Sequence, residues 1–322
     1  MTTENILAIQ ELKTYFYMPF GIGRAVDGIN LTIGKKKIVG LVGESGCGKT
    51  MTALSITRLV PSPGRIVDGK ILFQGKNLLE LSDEQIRDVR GKSISMIFQD
   101  PMTYLNPVMK VGDQIAEVIT RHQGLDKAEA REKVIEMLQK VRMPNPSMLY
   151  DNYAHKLSGG MRQRIMIAIA LICNPSLIIA DEPTTALDVT IQLQILELIK
   201  KIREKDACSL LLITHDMGIV AEICDRVYIM YVGKIVESAD VFALYENPKH
   251  PYTVGLLKSV LSIENFYEKL PTIAGFIPEI VNSPLGCKFH TRCPQAKPIC
   301  RQQEPSPIEI DPGHTVSCWL YA

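Results

Sequence analysis

The chain lacks a charge of one sign. Across 322 residues, 36 Lys and Arg face 35 Asp and Glu, leaving +1. That balance argues against a strongly basic nucleic-acid binder and against an acidic tail, so no nucleic-acid partner is expected. Long apolar runs are missing too. The best candidate, residues 165–173, is nine residues long and stops at Asn174-Pro175, short of the ~18 that suggest a membrane span. The opening Met1-Thr2-Thr3-Glu4-Asn5 has no basic stretch ahead of an apolar one, so no secretory signal is expected. These absences predict a cytosolic protein whose membrane role, if any, needs a spanning partner. Coiled coils and basic arms are absent as well. The 46% hydrophobic content still supports a substantial core.

What is present is organised around Gly43-Glu44-Ser45-Gly46-Cys47-Gly48-Lys49-Thr50. The pattern is glycine, four residues, glycine, lysine, then serine or threonine. It follows the apolar run Ile38-Val39-Gly40-Leu41-Val42 and precedes a helical stretch, residues 51–59, opened by Met51. In a strand–turn–helix context, the backbone N–H groups and helix N-terminus form an anion cradle. Lys49 can reach the β- and γ-phosphates of a nucleotide, and the Thr50 hydroxyl can ligate Mg²⁺.

Further along, residues 6–9, 28–33, 94–98, 177–182, 209–214, 227–230 and 234–237 read as strands, and 70–75 as a short strand and turn. Between the first two lies an aromatic-rich stretch, Tyr15-Phe16-Tyr17-Met18-Pro19-Phe20-Gly21, read as a loop that either stacks on a base or simply packs. Helical spacing runs from Val111 to about Arg142. Gln99, at a strand end, can reach Mg²⁺ or an attacking water, although a glutamine there is more often without chemistry. Leu157-Ser158-Gly159-Gly160-Met161-Arg162-Gln163-Arg164 precedes an apolar helix and makes a second anion site by the same dipole argument. Two cradles on separate segments make sense if a second protein copy supplies one of them. An apolar strand ends in Asp181 and Glu182, placed to support Mg²⁺ and to polarise a water. Thr184-Thr185-Ala186-Leu187-Asp188 is then a turn, and His215 follows a buried strand at the sheet edge where ligands bind in open α/β folds.

Composition shifts after about residue 245. Ten of the 19 prolines lie in residues 246–322, as do Cys287, Cys293, Cys300 and Cys318. The other cysteines, Cys47, Cys173, Cys208 and Cys224, are scattered. Disulfides are disfavoured in the cytosol, so clustered cysteines suggest a metal that staples a small, loop-rich module. The spacing Cys287-x5-Cys293-x6-Cys300-x17-Cys318 lacks the close pairs usual for zinc. It leaves a [4Fe–4S] cluster, Zn²⁺ with His290 as a substitute ligand, or four unligated thiols.

The order of Gly43 to Thr50, Gln99, Leu157 to Gln163, Leu177 to Glu182, Leu187-Asp188 and His215 resembles the ATPase subunits of ABC transporters. Three further stretches extend the resemblance to dipeptide/oligopeptide importer ATPases: Asp100-Pro101-Met102-Thr103-Tyr104-Leu105-Asn106-Pro107, His250-Pro251-Tyr252-Thr253, and Gly286-Cys287-Lys288-Phe289-His290-Thr291-Arg292-Cys293-Pro294.

The resemblance implies an α/β fold, a P-loop NTPase ABC nucleotide-binding domain. Its parts are a RecA-like core, an antiparallel β-subdomain and a helical subdomain at about 100–168, all within residues 1–245. A small Cys/Pro-rich extension occupies 246–322. It implies ATP with Mg²⁺, adenine on Tyr15, and phosphates on Lys49 and the loop amides. Thr50, Gln99 and Asp181 would serve Mg²⁺, with Glu182 as general base and His215 at the γ-phosphate. Leu187 and Asp188 would form the connecting D-loop. Ser158, Gly159, Gly160 and Gln163 would complete the site of an opposite subunit, itself a second copy or a paralogue. It also implies the four-cysteine cluster, two transmembrane permease subunits, an extracytoplasmic peptide-binding protein acting indirectly, and a peripheral position on the cytoplasmic face of the membrane. Alternatives are an importer ATPase for nickel or sugars, a soluble ABC ATPase working on DNA or ribosomes, and a non-catalytic nucleotide sensor. The single cassette and near-zero charge weigh against the second. Intact Glu182 and His215 weigh against the third.

Overall fold

The computed structural model describes residues 5–184, 189–206, 208–259, 272–281 and 283–322. The chain divides into two compact units, one built from Gly34–Lys37 and Glu80–Leu211 with residues 5 and 6, the other from Leu7–Ile33, Ile38–Leu79 and Leu212–Ala322.

The second unit holds the antiparallel sheet, ordered Gly21–Gly34, Asn5–Met18, Gly64–Phe73, Lys76–Asn77. Leu7 pairs with Phe73 and Ile9 with Ile71; the period-2 alternation buries Leu7 and Ile9 on one face, and Leu12 is buried past the register shift between Gln10 and Lys13. The first strand is longer than its sequence suggests. Residues 15–18, expected as loop, continue it, with Tyr15 opposite Arg65 and Phe16 opposite Gly64. Aromatic side chains suit a pleated, half-buried surface, and that preference prevails here.

The same unit contains a mixed sheet. Ile38–Val42, buried at all five positions, runs parallel to Arg226–Tyr231. Arg226–Tyr231 pairs antiparallel with Lys234–Asp240, which in turn pairs with His314–Val316, and that strand with Ile308–Asp311. Residues beyond 245 thus add two strands to the cassette's own sheet. They also complete an aromatic cluster: Phe289 lies edge-on to Tyr231 at 5.2 Å and within 5.3 Å of Tyr252. All three rings are buried.

The first unit pairs Ile94–Ile97 in parallel with Leu177–Asp181. The helical run expected over 111–142 is two helices, because Gly124 takes a left-handed conformation at φ 68° and ends Val111–Gln123. Lys127–Lys140 restarts from a capping box of Asp126 and Glu129. Gly159–Leu171 starts at Ser158, whose hydroxyl accepts from the Met161 N–H.

Candidate functional site

The loop after Ile38–Val42 needs its glycines. A Cβ at Gly43 would stand 2.2 Å from the Met230 carbonyl oxygen. At Gly48 it would stand 2.1 Å from the Ala25 carbonyl, at a φ of +112° that favours glycine. Gly48 then caps the helix Lys49–Ile56. Lys49 is 5% exposed, and its ammonium donates to the Gly43 and Glu44 carbonyls at 2.8 and 3.0 Å. The lysine therefore closes the turn that it belongs to. Cys47 is fully buried and burial pushes its thiol up, so it packs the loop from beneath.

In the first unit, Leu177–Asp181 delivers two buried carboxylates, Asp181 and Glu182. Glu182 sits at φ 46°, a left-handed conformation rare for a non-glycine residue. The Gln99 amide nitrogen donates to its Oε2 at 2.9 Å. That bond leaves the Gln99 carbonyl oxygen as the atom able to face a cation. Gln99 and Asp181 are hard oxygen donors, the chemistry that Mg²⁺ takes; Thr50, in the second unit, is another donor of that kind. Ser158 and Gly159 are exposed, and a Cβ at Gly159 would meet no described residue within 4 Å, so among these residues the helix start is open. Gly160 is closed by Ile191, 2.9 Å from a Cβ placed there. Gln163 is 2% exposed, and its Nε2 has no hydrogen-bond partner. Leu187 and Asp188 lie outside the described residues.

Two more predicted positions belong to the second unit. His215 is exposed directly after the buried strand Ser209–Thr214. Its neighbour Asp216 caps the next helix, Met217–Ile223. Tyr15 donates its hydroxyl to Asp27 and carries the Arg24 guanidinium 5.7 Å from its ring centre. Burial and this bond raise the Tyr15 phenol. Burial raises Asp27 in turn, but the Tyr15 hydroxyl and Lys234 outweigh it and hold the carboxylate low. Tyr17, 46% exposed, is the more open of the two rings.

The four late cysteines do not form the expected ligand shell. Among the described residues, no group of three or more His, Cys, Asp or Glu is arranged to hold a metal ion. They do share one neighbourhood. Burial pushes the Cys287 thiol up to about 11, with Cys300, Cys318 and Cys293 adding to the shift. The Cys287 N–H donates to the Cys300 carbonyl at 2.8 Å, and the His290 ring nitrogen lies 2.8 Å from the Cys287 carbonyl. The donors suit a thiophilic metal, but their geometry is not that of a closed site.

Sequence reasoning missed two residues that hold the 43–50 loop. Tyr252 is fully buried, and its hydroxyl accepts from the Glu44 N–H at 2.9 Å. Arg292 grips the Glu44 carboxylate. The motifs around both residues signalled resemblance without a role.

The glycine-locked turn before Lys49, the strand ending in Asp181 and Glu182 and the open helix start at Ser158 carry the motifs of an ABC-type ATPase. The family model "ABC transporter" matches residues 26–185. The model "Oligopeptide/dipeptide transporter, C-terminal region" matches residues 236–300. A probable peptide ABC transporter ATP-binding protein of Sinorhizobium fredii is 50% identical over 98% of this chain and 94% of its own length. The oligopeptide transport ATP-binding protein AppD of Bacillus subtilis is 50% identical over 98% and 97%. A dimeric bacterial ABC transporter cassette of known structure superposes with a TM-score of 0.66 at 25% identity, covering 73% of this chain and 98% of that one. The chain belongs to the family of ABC transporter ATP-binding proteins and is an ATPase. Among the described residues no helix is long and apolar enough to cross a membrane.

Proposed function

We propose that this chain energises the import of di- and oligopeptides as a peripheral subunit on the cytoplasmic face of the membrane. The peptide cargo rests on the relatives' names and on the match of residues 236–300 to the oligopeptide/dipeptide model. Nickel and sugar cargo find no such support.

The observation that carries the chemistry is the Gln99–Glu182 hydrogen bond beside a left-handed Glu182. A carboxylate so held can take a proton from an attacking water, and the glutamine on it can report the site's state to a partner. In this reading Lys49 and the amides of residues 43–51 bind the phosphates. Thr50, Gln99 and Asp181 hold Mg²⁺, which would supply charge neutralisation at the phosphates. His215 meets the γ-phosphate, and Tyr15 or its neighbour Tyr17 meets the adenine. Ser158, Gly159, Gly160 and Gln163 serve the ATP of an opposite subunit, a second copy or a paralogue, so hydrolysis follows closure of a head-to-tail pair. Leu187 and Asp188 belong to that pair's interface. Met102, Tyr104 and Val108, exposed at 59%, 51% and 81%, offer an apolar surface just past Gln99. One of two permease subunits would dock there, with the peptide-binding protein acting beyond it. The domain boundary near residue 245 separates the cassette from the extension that the second family model covers in part.

The test is Glu182→Gln. ATP turnover is expected to fall at least a hundredfold while ATP binding persists. Unchanged turnover would remove Glu182 from the role of base.

For Cys287, Cys293, Cys300 and Cys318 we propose a [4Fe–4S] cluster, with Zn²⁺ as the second reading. Four soft sulfur donors in one neighbourhood support it. Anaerobically purified full-length protein is expected to be brown and to contain iron. A colourless, zinc-loaded protein would favour the second reading.

A further inference from the structure

The phosphate loop carries an acid in its second position. Glu44 lies between Gly43 and Ser45 in a segment whose task is to bind polyanions, and an unmatched carboxylate there repels them. The matching charge comes from far along the chain. Arg292, 248 residues away, donates from Nη1 to Glu44 Oε2 at 2.7 Å and from Nη2 to Oε1 at 3.1 Å. This is a two-pronged arginine–carboxylate pair, the geometry in which such pairs are strongest. Its remaining donors are also used. Nε donates to the Ala274 carbonyl at 3.0 Å, Nη2 to the Ile273 carbonyl at 3.2 Å, and Nη1 to the Tyr231 hydroxyl at 3.4 Å. All five N–H groups are thereby satisfied. The side chain is 3% exposed, and its carbon sits 5.9 Å from the Tyr231 ring centre.

The loop is held from the same side a second time. Tyr252 takes the Glu44 N–H, so that amide points to the extension. The Glu44 carbonyl meanwhile accepts from Lys49. One residue therefore connects the phosphate lysine, by its carbonyl, to residues beyond 245, by its amide and its carboxylate. We infer that Arg292 is a positioning residue of the phosphate loop. By neutralising and orienting Glu44 it sets the affinity of the loop for ATP, which makes residues beyond 245 part of the nucleotide site. The inference rests on reading residues 43–50 as the ATP phosphate loop.

The experiment titrates full-length protein with ATP and measures turnover in parallel. Arg292→Ala is expected to weaken ATP binding on the order of tenfold and to raise KM far more than it lowers kcat. Raising salt should recover part of the loss by screening the bare carboxylate. Adding Glu44→Gln to Arg292→Ala should restore most of the affinity, because no charge is left to neutralise. A purely structural anchor would not be rescued by that second change. Should Arg292→Ala fail to fold, Arg292→Gln carries the same comparison. Affinity within twofold of wild type in the arginine variant, or no recovery in the double variant, overturns the inference. Lys49→Ala checks its footing separately. If that variant binds ATP normally, the phosphate-loop reading falls and the inference falls with it.

Discussion

His250 is 1% exposed, and burial lowers its imidazole to about 3. Its ring Nδ1 accepts from the Tyr252 N–H at 3.0 Å, so the neutral form caps the helix Pro251–Lys258. In an unfolded chain the ring protonates near its ordinary value of about 6.5. Below that pH the unfolded state binds a proton that the folded state refuses. The contribution of this residue is thus complete above about 6.5 and declines as the pH falls towards 3, at up to about 1.4 kcal/mol per pH unit. Thermal melts from pH 7 to 4 should show a steeper acid decline in wild type than in His250→Asn, which keeps a cap acceptor without the titrating ring. Equal slopes would mean that the ring is protonated in the fold. At this scale the sequence was readable where function is written in local backbone. The glycines, Lys49 and Thr50 sit within eight consecutive positions whose spacing alone defines the turn. Arg292 was unreadable because its partner is 248 residues distant, and no local pattern encodes that meeting.

Among the elements, Lys234–Asp240 carries a buried carboxyl group that organises its surroundings. Glu237 is 1% exposed. Its Oε1 accepts from the Lys249 N–H and lies 2.8 Å from the His314 ring nitrogen. Its Oε2 accepts from the His250 N–H. One side chain thereby ties a strand, the turn after Val241–Glu246 and the strand His314–Val316. Glu237→Ala would strand the buried His250 N–H, the half-buried Lys249 N–H and the His314 ring, a loss on the order of 3–5 kcal/mol. A large fall in the denaturation midpoint is the expected readout, and a shift under about 1 kcal/mol would show that the knot is dispensable. This element also explains a limit of the sequence reading. Prolines and cysteines after residue 245 suggested a module needing a metal staple, because few apolar residues there follow a strand or helix period. The structure supplies other fasteners: this carboxylate, a borrowed sheet edge, and the ring of Phe289 between Tyr231 and Tyr252. The opposite error occurred at residues 15–18, where an aromatic run read as loop is strand because its pairing partner lies some fifty residues on.

For the whole molecule, the informative fact is that the serine–glycine helix start is exposed among the described residues. Ser158 and Gly159 are exposed, and the family resemblance implies that an opposite subunit uses them. The Glu182→Gln variant tests this at the right scale. With hydrolysis blocked, ATP should hold two chains together, so size-exclusion chromatography should show an ATP-dependent dimer. A persistent monomer would point to a paralogous partner. The α/β class and the order of motifs were legible because each motif is short and sits at a strand end. The positions of Leu187 and Asp188 fall outside the described residues, so their expected role stands as a proposal.

The pairing of Lys234–Asp240 with His314–Val316 has a consequence for how the protein behaves among its own copies. A chain cut at residue 245 would keep every nucleotide motif and lose the strand that covers this flank of the sheet. Lys234–Asp240 would then expose a row of unpaired N–H and C=O groups, a template for any other strand. Beyond its hold on Glu44, the tail is a cover against aggregation, and the minimal cassette drawn from motifs alone would be the sticky one.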